Sequence, residues 1–298
     1  MITDFEQLVE RAASRGPRRA IVLLPDTPDS LRGALLAQER GVARCTLIGQ
    51  VGHIQALASQ AEVDLSPLTL IDAPDRESAA RQAFHLCRKQ QAAVLAKDGM
   101  DIQTFLSAVL DREQGLRTGQ LLSGVSVFDL QEPEKLLLVT DGIMVVSPHL
   151  DERIAMIENA VAVAHQLEVG LPRVALVAAT ETVNPKSQFS VDAAQITVMA
   201  RRKQIVGAII DGPLGFDNAV SAHAAEVKGI VSEVSGQVDI LVAPDLEAGN
   251  LLIATLGTLC RLPALHLLVG GQVPVLLCSA GDDATTWLAG LALAMQCS

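Results

Sequence analysis

Apolar residues in this chain fall into short β-branched runs separated by longer stretches of helical period, and that alternation sets out most of the elements. Residues 5–14 read as an amphipathic first helix with Thr3 or Asp4 placed to cap it. Residues 19–24 (RAIVLL) form a buried strand stopped by Pro25-Asp26, followed by a helix at 28–40 and a second strand at 45–48. Helices over 53–61 and 76–90 flank a strand at 68–71, and 93–96 (AVLA) is a strand that runs into Lys97-Asp98-Gly99. This is the β-α-β rhythm of a parallel sheet.

After a helix at 102–111, the runs 121–128 and 136–140 read as two strands joined at Glu132-Pro133-Glu134, with no helix between them. That break in the rhythm marks a domain boundary. Alternation resumes with a helix at 150–167, a strand at 174–178 and a helix at 191–202. The next stretch has strand 205–210 stopped by Asp211-Gly212-Pro213, helix 218–228, and strand 239–243 stopped by Pro244-Asp245. A helix at 251–260, a last strand at 273–278 and a helix at 284–295 complete the pattern, which specifies a doubly wound α/β protein. In open sheets of this kind ligands bind outside the carboxyl ends of the strands, so the polar loops there are where chemistry is expected.

Composition narrows the function. With 298 residues, 49% hydrophobic and 19% charged, the chain can bury a sizeable core. A net charge of -11 argues against a nucleic-acid binder, and six Phe, one Trp and no Tyr leave little for stacking on bases. Five scattered cysteines with no C-x-x-C pair predict neither a disulfide framework nor a zinc site. The first residues have no apolar signal core, and no apolar run reaches the ~18 residues of a membrane span. Together these features predict a cytoplasmic protein.

Several polar residues stand where a ligand could be met, each with a plainer alternative. Arg117 in GLRTG offers a guanidinium fork that suits phosphate, with Thr118 beside it, or is a solvated loop arginine. Lys186 in VNPKS precedes a helix whose N-terminus could hold an anion, or is an exposed loop lysine. Asn184 and Ser187 serve equally as turn or capping residues. Asp211 at a strand end fits a site, whereas Asp217 fits the N-cap of the next helix. Asn250 could donate to substrate or cap a helix, and Lys97 sits at another strand end. No histidine lies beside a Ser or Cys in a recognisable elbow, so a Ser-His-Asp hydrolase has no support.

DGPLGFDNAVS with APDLEAGN, together with TETVNPKSQFSVDA, GLRTG and TDGIMVVSP, resembles the phosphate acetyl/butyryltransferase family, and the butyryltransferase branch is the closer match. The resemblance extends from about Lys97 to the C-terminus. It implies two doubly wound α/β domains with a cleft between them, isocitrate/isopropylmalate dehydrogenase-like, with residues 1–122 and 269–298 in one and 123–268 in the other. It further implies acyl transfer between coenzyme A and inorganic phosphate, with coenzyme A as substrate, no metal or other cofactor, and a homodimer. On that reading Ser279 and Asp211 are catalytic, and Arg117, Thr118, Lys186, Asn184, Asn250 and Lys97 bind substrate. The family's last strand ends in a Ser-Arg pair, whereas here Ala280 follows Ser279; Ala254 and Val145 also replace polar family residues. Those departures keep a non-catalytic acyl-CoA-binding member as the alternative. A dehydrogenase is the third reading, without a dinucleotide fingerprint to support it.

Overall fold

The structure is a computed structural model that describes residues 1–279 and 281–298. The chain divides into two compact units, one of Met1–Asp4 with Ser123–Ala264 and the other of Phe5–Leu122 with Leu265–Ser298. We call these unit 1 and unit 2.

Unit 2 begins with helix α1 (Phe5–Ser14) and strand β1 (Arg18–Leu23), then α2 (Pro28–Glu39), β2 (Ala43–Gly49), α3 (Val51–Gln60), β3 (Thr69–Asp72), α4 (Arg76–Arg88), β4 (Val94–Lys97) and α5 (Ile102–Val109). The starts of three of these helices follow from local chemistry. Thr27, Asp75 and Asp101 each accept an N–H from the first turn of the helix they precede, satisfying a donor that has no partner within the helix. The strand order within the unit is β3-β2-β1-β4, continued by β11 (Val275–Leu277) and β10 (Ala264–Val269). All neighbours are parallel except β10 and β11. Helix α11 (Ala284–Gln296) packs its buried Trp287 against Gly33 of α2, where an added Cβ would lie 2.2 Å from the tryptophan Cβ.

Unit 1 contains β5 (Ser123–Asp129), β6 (Leu136–Thr140), α6 (Leu150–Gln166), β7 (Arg173–Val177), α7 (Gln188–Arg201), β8 (Ile209–Leu214), α8 (Phe216–Val220), α9 (Ala222–Val227), β9 (Ile240–Val242) and α10 (Leu246–Ala254). Its order is β5-β6-β9-β7-β8, with β5 and β6 an antiparallel hairpin and the other pairs parallel. Phe128, Leu137, Val139, Leu214, Val238 and Leu241 form the centre of one hydrophobic cluster there.

Four expectations are corrected. The strand expected at 205–210 is β8, shifted to include Asp211, Gly212 and Pro213; proline is tolerated because β8 is an edge strand, where one side of the backbone needs no ladder partner. The single helix expected at 218–228 is two short helices, because the Ser221 hydroxyl accepts the Ala224 N–H and starts α9 afresh. Gly215, not Asp217, occupies the N-cap position of α8. The helix expected at 251–260 begins at Leu246, capped by Asp245, and Thr255–Leu259 continues it as a π-helical turn. Strand β10 has no counterpart in the sequence reading, so both units carry mixed sheets. Among the described residues no helix is long and apolar enough to cross a membrane.

Candidate functional site

In unit 2 the carboxyl ends of β1, β4 and β11 bring together residues from three separate stretches of sequence. Lys97 ends β4 in register with Leu277 of β11, and the Cys278 N–H donates to the Lys97 carbonyl at 3.3 Å. Ser279 follows directly, exposed, with its N–H given to Asp282 Oδ2 at 2.8 Å. On the other side of β4, buried Asp98 accepts the Asp26 N–H at 2.8 Å, and Asp26 Oδ1 meets His53 Nε2 at 2.9 Å. A cavity of about 210 Å³ opens over Leu24, Asp26, Gln50, His53, Arg76 and Gly99. It lies over the carboxyl ends of β1, β2 and β3, with Gly99 closing it from the β4 side, at the end of an open sheet where ligands bind.

Burial dominates the electrostatics of this end. It raises the Asp98 carboxyl above the ordinary carboxylate value of 3.8, and the charge of Asp26 pushes the same way. Asp282 is raised by burial and then by Asp283 and Asp98. Cys278 is raised well above an ordinary thiol by burial, with Asp282 and Asp98 adding to it, so it is no thiolate nucleophile. Lys97 has no ion pair among the described residues. Among the described residues the arrangement therefore offers the cations Lys97 and Arg76, the exposed Ser279 hydroxyl, and two carboxyls, Asp98 and Asp282, that burial pushes above the ordinary value.

Arg117 and Thr118 are not part of this group, contrary to the expectation. Arg117 bridges Gly271, the Gln272 N–H donates to the Leu116 carbonyl at 2.9 Å, and the Thr118 hydroxyl donates to the Gly270 carbonyl at 2.8 Å. The loop is thus pinned to the β10–β11 turn, at the amino end of β11, whereas Ser279 lies past its carboxyl end. Thr118 Oγ1 also accepts the Gln120 N–H, so its hydroxyl is occupied by the turn.

In unit 1 two of the quoted motifs meet. Gly249 of EAGN sits where an added Cβ would be 2.2 Å from the Asp141 carbonyl oxygen, and a Cβ on Gly142 would be 2.5 Å from the Gly249 carbonyl carbon. Asn250, exposed, donates one Nδ2 hydrogen to the Gly142 carbonyl at 3.1 Å, a bond that fixes the orientation of its amide while leaving the second hydrogen and Oδ1 outside that contact. Asp141, buried, accepts N–H groups from Gly124, Ile143, Met144 and Val145 and shapes the turn after β6.

Asn184 is a turn residue: its Oδ1 accepts the Lys186 N–H at 3.0 Å and its own N–H goes to Ser190 Oγ at 2.9 Å. Lys186 is exposed two residues before α7, closer to that helix start than the sequence pattern placed it. Asp211, expected at a strand end, lies within β8 opposite Ala175 and faces Arg201 at 3.7 Å, so nothing carries it to the carboxyl ends. The other polar cluster of the motif joins Glu181, Asp217 and buried Asn218 to Lys228, whose Nζ lies 2.8 Å from Glu181 and 2.9 Å from Asp217. Asp98, Asp26 and His53 were not singled out by sequence reasoning; Asp98 and Asp26 share the signal of a polar residue just past a buried apolar run, whereas His53 lies in the first turn of α3. Ala280 lies outside the described residues.

Comparison with known proteins places this geometry in a family. The family model described as "Phosphate acetyl/butaryl transferase" matches residues 99–295. The phosphate butyryltransferase of Clostridium beijerinckii is 37% identical over 294 residues, covering 99% of this chain and 97% of that one. The phosphate acetyltransferase of Rhizobium meliloti is 35% identical, with 98% and 92% covered. Among solved structures, a branched-chain phosphotransacylase from Enterococcus faecalis V583 superposes with a TM-score of 0.80 at 27% identity, covering 94% of this chain and 98% of that one. A putative 4-hydroxythreonine-4-phosphate dehydrogenase from Salmonella typhimurium, at TM-score 0.60 and 14% identity over 94% of this chain and 99% of that one, shares the fold. The chain belongs to the phosphate acetyl/butyryltransferase family.

Proposed function

We propose that this chain moves an acyl group between coenzyme A and inorganic phosphate, acyl-CoA + phosphate = acyl phosphate + CoA. A phosphate oxygen attacks the thioester carbonyl, the carbonyl oxygen takes up negative charge, and collapse of that tetrahedral species breaks the C–S bond and releases the thiol. The observation that carries this reading is the arrival of Lys97 and Ser279 on adjacent parallel strands at the same end of the unit 2 sheet. Lys97 supplies a positive charge for phosphate, and the Ser279 hydroxyl is a donor for the developing oxyanion. Asp98 and Asp282, raised by burial, are placed to hold the proton that the departing thiolate needs. Coenzyme A enters as a substrate and leaves as a product, and the chemistry asks for no redox step.

The protein acts as a homodimer in this proposal. Exposed Leu251 and Leu259, on α10 and the π-turn after it, support a buried partner surface. The decisive experiment follows phosphate-dependent loss of acyl-CoA across two- to five-carbon chains, with Lys97→Gln and Ser279→Ala in parallel. Turnover that falls at least tenfold in both variants is the expected result. No turnover by the wild-type chain with any of these substrates would defeat the proposal.

A further inference from the structure

The cavity over β1, β2 and β3 is lined by none of the residues to which acyl transfer has been assigned, and its walls suit a different part of the substrate. We infer that it seats the adenosine end of coenzyme A, with Arg76 meeting the ribose 3′-phosphate. The identity of the ligand rests on the acyl-transfer reading; the place where it binds rests on the cavity.

At about 210 Å³ the cavity is smaller than the ~300–1,000 Å³ that encloses a drug-sized molecule, so it takes one end of a long ligand. Its walls combine apolar Leu24, Pro25 and Ile54 with the polar groups of Asp26, Gln50 and Arg76. Leu24 holds φ at 52°, a left-handed conformation rare for a bulky residue, and is tied on both sides: its N–H donates to the Ile48 carbonyl and its carbonyl accepts the Gly99 N–H, each at 2.8 Å. A Cβ on Gly99 would lie 2.7 Å from the Leu24 carbonyl oxygen and 2.8 Å from Asp26 Cβ, so glycine is what lets Asp26 stand at the rim. Asp26 Oδ1 is engaged by His53 Nε2 at 2.9 Å, leaving Oδ2 to accept a ribose hydroxyl. Gln50 gives one Nε2 hydrogen to the Pro74 carbonyl at 2.7 Å, which orients its amide and leaves Oε1 and the second hydrogen for the edge of an adenine. Asp75 caps α4 by accepting the Ser78 N–H at 2.7 Å, so among the described residues Arg76 is the charged lining side chain with neither a hydrogen bond nor an ion pair. It stands in the first turn of α4, where the helix dipole disfavours a cation and an anionic partner relieves the conflict.

The spacing across the sheet matches the length of the ligand. In the order β2-β1-β4-β11, the end of β2 and Ser279 beyond β11 are three inter-strand steps apart, roughly 14 Å at ~4.8 Å each. The pantetheine arm has about a dozen bonds between its sulfur and the first phosphate oxygen, the length of about four extended residues, and spans roughly 13–14 Å. With the diphosphate bridging the rest, an adenosine seated over β2 carries its thioester to Lys97 and Ser279. Arg76, at the start of α4 after β3, stands one strand further along the same line.

Calorimetric titration of the whole chain compares coenzyme A, 3′-dephospho-coenzyme A and adenosine 3′,5′-bisphosphate, which lacks the pantetheine arm and cannot react. Wild type is expected to bind the bisphosphate in the millimolar range or tighter, and to hold coenzyme A about tenfold or more tightly than its dephospho form. Arg76→Gln should erase that preference while leaving dephospho-coenzyme A unchanged, and in turnover should raise KM for coenzyme A with kcat held. Asp26→Asn should weaken the bisphosphate about fivefold, the difference between a charged and a neutral acceptor. Equal binding of coenzyme A and its dephospho form by wild type, or no heat from millimolar bisphosphate, overturns the inference. So does tighter binding of ATP than of the bisphosphate, since a free adenine nucleotide would then be the occupant. An active wild-type enzyme whose Arg76→Gln variant keeps its coenzyme A affinity removes this site and leaves acyl transfer standing. Bisphosphate binding that Arg76→Gln weakens, in a chain without turnover, supports the site and removes acyl transfer alone.

Discussion

Gly249→Ala tests the contact on which the start of α10 depends. The new methyl would lie 2.2 Å from the Asp141 carbonyl oxygen, 2.8 Å from Gly142 Cα and 2.9 Å from the Asp141 carbonyl carbon. All three are backbone atoms, so no side chain can swing aside to make room. Overpacking of this kind costs about 1–3 kcal/mol, and a clash with backbone belongs at the top of that range. Moving α10 outward also stretches the Asn250–Gly142 hydrogen bond, a further ~1 kcal/mol. Alanine's better helix propensity returns roughly 0.5–1 kcal/mol. The net loss is about 3 kcal/mol, which at roughly 2–4 °C per kcal/mol lowers the melting temperature by about 6–12 °C. Gly257→Ala is the control, because an added Cβ there meets nothing within 4 Å, and it should raise stability by roughly 0.5–1 kcal/mol. Both are read by thermal melts and urea titration. A Gly249→Ala protein that melts at or above wild type, or a Gly257→Ala protein that falls as far, would refute the reasoning.

Arg153 is buried, donates to the carbonyls of Pro148 and Pro244 at 2.9 Å each, and faces Asp192 at 3.6 Å; Arg153→Met should cost about 3–5 kcal/mol in urea unfolding, with part regained on adding Asp192→Asn. The Asp98 carboxyl is raised by burial, so its folded state prefers the proton. Its contribution to stability is therefore present below the ordinary carboxylate value of 3.8 and is lost as pH rises through the raised value. Asp98→Asn should accordingly melt higher than wild type at pH 7 and converge with it in acid, and identical melts at both pH values would contradict this. Ala280→Arg restores the family's cation beside Ser279 and should raise kcat/KM by roughly 10–100-fold, the ~1.5–3 kcal/mol of a charge-assisted hydrogen bond; an unchanged value would show that Lys97 already fills the role.

The alternation of strand and helix was legible wherever an apolar run ended in a sharp stop. Residues 136–140 are an example, reproduced to the residue as Leu136–Thr140. Strand β10 escaped because its run ALHLLV contains His266, which reads as polar in sequence but is half-buried among its apolar neighbours, and that desolvation lowers its pKa to about 4. Asp211-Gly212-Pro213 looked like a stop because the pattern cannot say that the strand lies at an edge. Lys97 and Ser279 were legible as strand-end residues, and their adjacency is set by the order β4-β11, which only the fold supplies. Arg117 was misplaced for the complementary reason: a motif names a loop but not the end of the sheet to which the loop is tied. Asn184 was ambiguous between turn and ligand, and its Oδ1 accepts the Lys186 N–H of a local turn; Asn250 was ambiguous between cap and ligand, and its Nδ2 donates instead to the Gly142 carbonyl, a contact no local pattern could announce.

The edge position of β8 has a consequence for how the protein behaves in a crowded solution. An outermost strand presents unpaired amide and carbonyl groups that another polypeptide could zip onto, which is the first step toward fibrous aggregation. Here that template is interrupted within six residues by an aspartate, a glycine and a proline, and proline has no N–H to offer. The DGP triplet therefore acts as a guard against unwanted self-assembly, a role that would keep it in the sequence even in a member of the family that had lost its catalytic chemistry.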